Sequence, residues 1–443
     1  VKGLIPEDLR QAALRELDKC NKCGFCLTNC PTYLVTGVEW EVARGRLALV
    51  RAALEGELDP AELPASTWSC ILCRNCRPHC PPGVEMDRVV VAIRAGLSRH
   101  LRVSPLRRMI MRGLLPRRGR LAAAATLGDW GQTMGLDRLA ALWPDRRMRT
   151  AQAYAPRMRS PAALRRRWQA EGLYGSGGDG GGARVGVFLG CATELGMGPT
   201  VLALGRILRR LGIGAEVIPA ACCGLPAYSW GDPEGARLAG RAMLAAAGLG
   251  NGDRPKYEAL ISPCASCASF LSEYGRLFAG QPEAAAAAAL AGSIVPATVY
   301  LARAGLPELL RQQGVNAVGP HTFHDPCHLA HYLNGRAEVR DVLTALPGNG
   351  YREMTGADSC CGAGGSYVMT HPEHSDAVLR RKLDSVEQTG AKLLTSACPG
   401  CILQLRRGLR ERGSDIRVAH LLEAAWEALD EGRQAGFVQR GAR

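Results

Sequence analysis

Beyond residue 184 the apolar positions of the chain follow two alternating rhythms. Short, almost unbroken apolar runs ("RVGVFLGC", "AEVIPAACCG", "YEALISPCASC", "HTFHDPC", "AKLLTSACPGC") predict buried strands. Between them, apolar residues recur every three to four positions ("TVLALGRILRRLG", "EGARLAGRAMLAAAGL", "AEVRDVLTAL", "HSDAVLRRKLDSVEQTG", "ILQLRRGLRE"), the period of amphipathic helices. Strands alternating with helices predict βα units and a largely parallel sheet. The series runs twice, over residues 184–316 and again over 317–443. Repetition of a whole unit says more about architecture than any single motif.

Residues 1–105 lack strand rhythm. "VKGLIPEDLRQAALREL" and "EWEVARGRLALVRAALEGEL" are amphipathic helical patterns. Arg44, Arg46 and Arg51 interleave the second and are expected on its solvated face. "GLSRHLRVSPLRRMIMRGLLPRRGRL" predicts a basic helix broken at Pro116. Residues 106–183 then form a basic helical linker region. Its end, "GSGGDGGGAR", has the composition of a flexible coil and marks a domain boundary. The fold class is therefore α+β and multidomain, with a helical N-terminal domain followed by two repeated α/β domains. "AAAAAALAGSIVPATVYLA" at 284–302 is long enough to cross a bilayer, but its Ala, Gly and Pro content predicts two packed helices joined by a turn.

Composition adds three constraints. The 443 residues are 47% hydrophobic, enough to bury real cores, and only 5% aromatic. The formal net charge is +14, nearly all of the cations being Arg, which suits an acidic partner or an anionic membrane face. No helix-turn-helix, RNA-binding or zinc-finger pattern accompanies the charge, so nucleic acid is not an expected partner. The start of the chain shows no apolar signal region, so the expected location is cytoplasmic, or peripheral on the inner face of the cell membrane.

Cysteine changes the picture most. All 18 fall into compact patterns. Reduced cytosolic thiols in clusters indicate metal rather than disulfides. "CNKCGFCLTNCP" (Cys20, Cys23, Cys26, Cys30) and "CILCRNCRPHCP" (Cys70, Cys73, Cys76, Cys80) both read C-x2-C-x2-C-x3-C-P. This is the spacing of two-cluster ferredoxins, where three cysteines of a run bind one [4Fe–4S] cluster and the fourth crosses to the other. It predicts one cluster on Cys20, Cys23, Cys26 and Cys80 and another on Cys70, Cys73, Cys76 and Cys30. Zinc knuckles also pair cysteines, but four per run with a trailing Pro favours iron–sulfur.

The repeats carry the other ten. Copy one holds Cys191, Cys222, Cys223, Cys264 and Cys267; copy two holds Cys327, Cys360, Cys361, Cys398 and Cys401. Each set follows one order: a cysteine, about thirty residues, CCG, about forty residues, then C-x2-C. All sit at predicted strand ends. Right-handed crossovers place such ends on one sheet edge, where open α/β sheets bind ligands. Gly224 and Gly362, with Gly364 and Gly365, are expected to let backbone approach a bulky cofactor closely. Around Cys327 lie His324 and His328, candidate proton carriers for a two-electron reduction or hydrogen-bonding supports of a cluster. Asp325 and Asp358 are expected to cap helices or turns.

Taken together, the two runs, the two CCG repeats, "RGR" at 44–46, "SEYG" at 272–275, "SCCGAGGSYVMTHPE" and "TSACPGC" resemble the iron–sulfur subunit family of glycolate oxidase. "HDPCHLAHYLNG" is typical of the wider group, which includes lactate-utilisation iron–sulfur proteins and heterodisulfide reductase subunits. The resemblance covers nearly the whole chain. It implies an electron-transfer subunit whose FAD-linked partner oxidises glycolate or D-lactate, with electrons passing through two ferredoxin-type clusters to the CCG domains and on to quinone or another acceptor. No dinucleotide fingerprint appears in the chain itself. By analogy with heterodisulfide reductases, one or two further [4Fe–4S] clusters, non-cubane in type and bridged by adjacent cysteines, are expected in the CCG domains. Because all ten repeat cysteines are kept, a disulfide-reducing catalytic subunit is the alternative expectation.

Overall fold

The structure, a computed structural model, describes residues 7–100, 104–137, 145–156, 158, 161–171, 184–249, 257–348 and 350–430. The Gly-rich coil expected at 175–184 lies outside the described residues apart from Arg184, which opens the first strand.

Two parallel sheets form the C-terminal body. The first contains β1 (Arg184–Val187), β2 (Gly214–Val217), β3 (Ala259–Ser262) and β4 (Ile294–Pro296), in the order β2-β1-β3-β4. The second contains β5 (His321–His324), β6 (Leu393–Ser396) and β7 (Arg417–His420), in that order. All ladders are parallel: Val185 pairs with Ala215 and Ala259, and Thr322 with Leu394. β3, β5 and β6 are buried along their whole length, as strands covered on both faces must be. One apolar core runs through both sheets, from Val185 and Phe188 to Phe323, Leu394 and Leu429. Helix Gly198–Arg210 of the first unit packs on helix Leu421–Leu429 of the second.

Two details depart from expectation. The segment 284–302 contains a short strand: helix Ala284–Ser293 runs into β4 and then helix Ala297–Arg303. No described helix is long and apolar enough to cross a membrane. In the second unit, the counterpart of β2 shrinks to one bridge, His321 to Tyr351, while β7 on the other side of β6 completes the sheet.

The N-terminal body is helical, with its own core of Ala13, Leu17, Leu47, Val50, Val89, Val90 and Ile93. Helices Glu7–Lys19, Ala43–Glu55 and Met86–His100 enclose the two cysteine loops. It is bound tightly to the sheets. Arg94 donates to Ser229 O (2.7 Å), Tyr332 Oη donates to Leu72 O (3.2 Å), and the Arg74 guanidinium lies 3.6 Å from the Tyr332 ring centre. The basic stretch after it is helix Pro105–Arg108, a π-helical turn Met109–Leu114, and helix Arg118–Thr133, with the break at 115–117. Part of its charge is spent on internal ties. Arg107 stacks on Trp230 (4.0 Å), and Arg112 grips Asp232 with two hydrogen bonds (2.8 and 2.6 Å).

Asp232 also accepts from Gly235 N (3.0 Å) and so caps helix Pro233–Ala246. Burial pushes its carboxyl up, but Arg112 and the Gly235 N–H outweigh it and hold the group below its ordinary 3.8. Its contribution is therefore complete above pH ~4 and lost as pH falls through the lowered value. Asp232→Ala is expected to cost about 1 kcal/mol, mostly from the cap, because Arg112 is half exposed. Urea titrations at pH 7 and pH 3 check this: the deficit of the variant should shrink at the lower pH.

Candidate functional site: two thiol-lined cavities and a line of ten sulfurs

The two N-terminal runs fold into the same loop. The residue just before the second cysteine has a left-handed backbone in both, Lys22 (φ 59°) and Leu72 (φ 61°). So has the residue just after it, Gly24 (φ 86°) and Arg74 (φ 56°). Non-glycine residues in this region carry roughly 1–3 kcal/mol of strain, tolerated where a loop must wrap its backbone around something. Each loop borders a small, partly open cavity. The first is lined by Cys20, Cys23, Cys26 and Cys80, the second by Cys30, Cys70, Cys73 and Cys76. The fourth cysteine of each run thus lines the cavity of the other run, and Cys76 reaches both. Four soft sulfur donors around one small cavity fit a [4Fe–4S] group. Cys23 is exposed, whereas Cys30 and Cys73 are buried, so the first cavity faces outward and the second inward.

The expected solvated face of helix Ala43–Glu55 holds only in part. Arg44 and Arg51 are partly exposed and ion-paired, to Glu39 (2.6 Å) and Asp18 (3.0 Å). Arg46 is 2% exposed and points inward to the second cavity, because Gly45 lets the helix press against the Glu39 carbonyl, 2.0 Å from where a Cβ would sit.

The repeat cysteines all lie beyond the C-terminal ends of their strands. Cys191 follows β1, Cys222 and Cys223 follow β2, and Cys264 and Cys267 follow β3. Cys327 follows β5, Cys360 and Cys361 follow the Tyr351 bridge, and Cys398 and Cys401 follow β6. The two sheets face each other at this edge. Ala265 N donates to Ala397 O (3.0 Å), and His420 Nε2 bonds Pro263 O (2.8 Å). Consequently the thiols stand next to one another in one line: Cys191, Cys222, Cys223, Cys267, Cys264, Cys398, Cys401, Cys361, Cys360, Cys327. Its far end meets the second N-terminal cavity, since Cys73 packs with Cys360 and Cys327.

The two CCG pairs share one pattern of charge, whereas at the strand-end C-x2-C pairs the neighbouring thiols and burial push Cys264 up, and the neighbouring thiols hold Cys398 down. Hydrogen bonds from Cys222 and Cys267 hold the Cys223 thiol far below its ordinary value, and those from Cys360 and Cys401 do the same for Cys361. The neighbours donating those bonds are pushed up. In each CCG pair the surroundings thus favour the charged form at the second cysteine over the first, and a thiolate is the form that binds metal.

His324 is fully buried, and neither ring nitrogen has a hydrogen-bond partner. A ring nitrogen lies within 4.8 Å of the sulfurs of both Cys361 and Cys401. Burial, reinforced by Lys382, pushes its pKa down to about 3. Its surroundings favour the neutral ring, whose unpartnered nitrogens stand beside the Cys361 and Cys401 sulfurs. His328 bridges the two units instead, with Nδ1 at 3.1 Å from Ser266 Oγ and 3.8 Å from Cys327 Sγ. The two aspartates are also not caps. Asp325, fully buried, takes both Arg340 (2.5 Å) and Arg336 (3.1 Å), and Asp358 pairs with Arg336 (3.3 Å).

The glycines serve the backbone more than a cofactor. At Gly224 (φ 93°) a Cβ would meet Ala236 O at 2.8 Å, and at Gly362 (φ 82°) it would meet Ser375 O at 2.6 Å. The close approach is to the helix behind, and the freed N–H turns to sulfur: Gly224 N to Cys222 Sγ (3.4 Å), Gly362 N to Cys360 Sγ (3.3 Å). Gly190 (φ 75°), not singled out from sequence, lies where a Cβ would stand 2.8 Å from Cys267 Sγ. A Gly directly before a strand-end cysteine was the available signal. Tyr154 was also missed. It lies on helix Arg146–Tyr154, donates to Gly400 O (3.2 Å), and stands partly buried beside Cys361, Cys398, Cys401 and Cys264. Nothing in its local sequence marks a contact with residues some 250 positions away.

Known proteins resemble this arrangement in parts and as a whole. Residues 16–84 match the 4Fe-4S dicluster domain, and residues 185–272 and 321–406 match the CCG cysteine-rich domain. The probable glycolate oxidase iron-sulfur subunit of Bacillus subtilis is 30% identical over 93% of this chain and 94% of its own length. The chain belongs to the glycolate oxidase iron-sulfur subunit family. The Escherichia coli glycolate oxidase iron-sulfur subunit is 27% identical over 96% of this chain and 99% of its own. Lactate utilization protein A of Oceanobacillus iheyensis is 28% identical over 54% of this chain and 95% of its own. The chain is thus an oxidoreductase subunit of α+β architecture with [4Fe–4S] clusters as cofactors.

The glycine geometry gives a graded expectation. Gly362→Ala should destabilise the protein by about 1–3 kcal/mol more than Gly365→Ala. Both positions have positive φ, but only the first also drives a Cβ into backbone; nothing stands within 4 Å at Gly365. Chemical denaturation of the two variants side by side measures the difference.

Proposed function

We propose that the chain is the electron-transfer subunit of a flavin-linked 2-hydroxy-acid dehydrogenase acting on glycolate or D-lactate. In this reading Cys20, Cys23, Cys26 and Cys80 hold one [4Fe–4S] cluster, and Cys30, Cys70, Cys73 and Cys76 hold the other. Each five-cysteine set, Cys191 to Cys267 and Cys327 to Cys401, supplies ligands for one more. Such groups, when bound, exchange single electrons. The observation that carries the reading is continuity. Sulfur positions lead from exposed Cys23, through the cavity holding Cys73, to Cys360 and Cys327 and then along the line to Cys191.

The residues around that line fit the role. Tyr274 is buried next to it, and Tyr154 and Tyr332, partly buried, flank it and limit the access of water. Tyr274 Oη donates to Cys223 O (2.6 Å) and fixes the first CCG turn. His328, between Ser266 and Cys327, is the side chain placed to hold or release a proton at the junction of the two units. Substrate oxidation belongs to an FAD-linked partner subunit, and the acceptor is quinone or another carrier reached from the cytoplasmic or inner membrane side.

A second reading is favoured by one feature. Both cysteine sets are complete and touch through Cys264 and Cys398, as a subunit that reduces a disulfide between two metal groups would require.

Iron analysis of the isolated, anaerobically reconstituted chain separates the outcomes. About eight irons per chain is expected if only the N-terminal cavities fill, and about sixteen if both repeat sets do. Cys80→Ser should lower the count by about four. The chain alone should not oxidise glycolate or D-lactate; turnover by the isolated chain would overturn the first reading, and disulfide reduction by it would establish the second.

A further inference from the structure

Three arginines surround the second N-terminal cavity, and they are not equivalent. Arg74 lines it but is neutralised by Asp87, through hydrogen bonds of 2.8 and 2.7 Å. Arg94, buried just beyond it, donates to the carbonyls of Thr67, Trp68, Cys70 and Ser229, with 2.6 Å to Cys70 O. Arg46 lines the cavity and donates to Ser66 O (2.8 Å), Thr32 Oγ1 (3.1 Å) and Ser69 Oγ (2.9 Å), with Nη1 4.0 Å from Cys30 Sγ. The carbonyl and hydroxyl partners of Arg46 and Arg94 carry no charge. Among the described residues neither arginine forms an ion pair, and the buried Glu41 leaves its Oε2 without a hydrogen-bond partner rather than pairing with Arg46. The first cavity differs: its cation, Arg44, is partly exposed and paired with Glu39 at 2.6 Å.

A buried cation without a counter-ion costs several kcal/mol, so the fold keeps one only where an anion offsets it. Four thiolates around an iron–sulfur group carry net negative charge, and adding an electron makes the site more negative. A fixed cation in a poorly screened interior therefore favours the reduced form. The exposed, paired Arg44 exerts much less pull, since solvent and Glu39 both screen it.

We propose that Arg46 raises the reduction potential of the group held by Cys30, Cys70, Cys73 and Cys76 above that of the group held by Cys20, Cys23, Cys26 and Cys80. This rests on the ligand assignment given above. Arg46 is a positioning residue that acts through the thiolate ligands and touches no substrate. Its charge draws the electron inward, to the site that borders Cys360 and Cys327, and away from the exposed site at Cys23.

The test uses the full chain reconstituted with iron and sulfide, reduced stepwise with dithionite and followed by electron paramagnetic resonance. Cys80→Ser, which opens the first cavity, identifies that site's signal. The inner site is expected to have the higher midpoint. Arg46→Gln should lower that midpoint by at least tenfold in reduction equilibrium, about 59 mV for one electron, and leave the outer one in place. Arg46→Lys, which keeps the charge, should retain most of the wild-type value. A second variant guards against loss of folding: Ser69→Asp puts a carboxylate beside Nη2 and should shift the same midpoint in the same direction. The proposal is overturned if Arg46→Gln leaves the inner midpoint unmoved or moves both alike, or if Lys behaves as Gln. If Arg46→Gln takes up no iron, an unmoved midpoint in Ser69→Asp overturns it. Failure of the ligand assignment looks different, because the wild-type chain would then lack the two N-terminal signals altogether.

Discussion

Parallel strands joined by helical crossovers all end on the same edge of their sheet, and in this chain two such edges are pressed together. The contact is made by backbone: the Ala265 amide on the Ala397 carbonyl, and the His420 ring on the Pro263 carbonyl. From it follows the position of every repeat cysteine. Because each cysteine stands just past a strand or bridge, joining the edges joins the sulfurs. The single apolar core that passes through both sheets holds the edges in register. Packing of this kind is stiff, so the thiol line is a fixed feature of the fold rather than a meeting of mobile loops.

Much of this was legible in the chain. The C-x2-C-x2-C-x3-C-P spacing anticipated which cysteines share a cavity, because a spacing fixed by covalent geometry leaves few ways to surround a small group. The strand and helix rhythms anticipated β1, β3, β5 and β6, whose buried runs are strong local signals. What escaped depends on contacts between distant residues. β7 is short and ends in a polar His420, so its pattern is weak until β6 is beside it. Arg46 reads as a surface residue of an amphipathic helix until Ser66, Ser69 and Thr32 gather around its guanidinium. The face of a helix that counts as inside is decided by what packs on it, and here the short helix Leu63–Trp68, some twenty residues later, does so.

His324 shows the same limit in another form. A histidine near a cysteine suggests proton chemistry by residue type alone. Its environment adds what residue type cannot show, because complete burial makes the charged ring costly. The two ring nitrogens left without hydrogen bonds are the kind of unsatisfied polar atoms that native interiors rarely keep without a use. His328, only four residues on, has a serine and a cysteine within reach and a different character. Neighbours on one short stretch thus acquire different surroundings from the second unit's own helix and from the first unit facing it.

The exchange of Cys30 and Cys80 between the two N-terminal cavities makes that body indivisible. Neither run closes a cavity from its own cysteines, and Cys76 belongs to the wall of both. The helix Ala43–Glu55 between the runs is therefore a spacer whose length is set from both ends. A cut or an insertion there would open two compartments at once, however far it lay from any sulfur. The pair can be inherited, shortened or lost only as a unit, which gives a plain physical reason for the two runs to travel together.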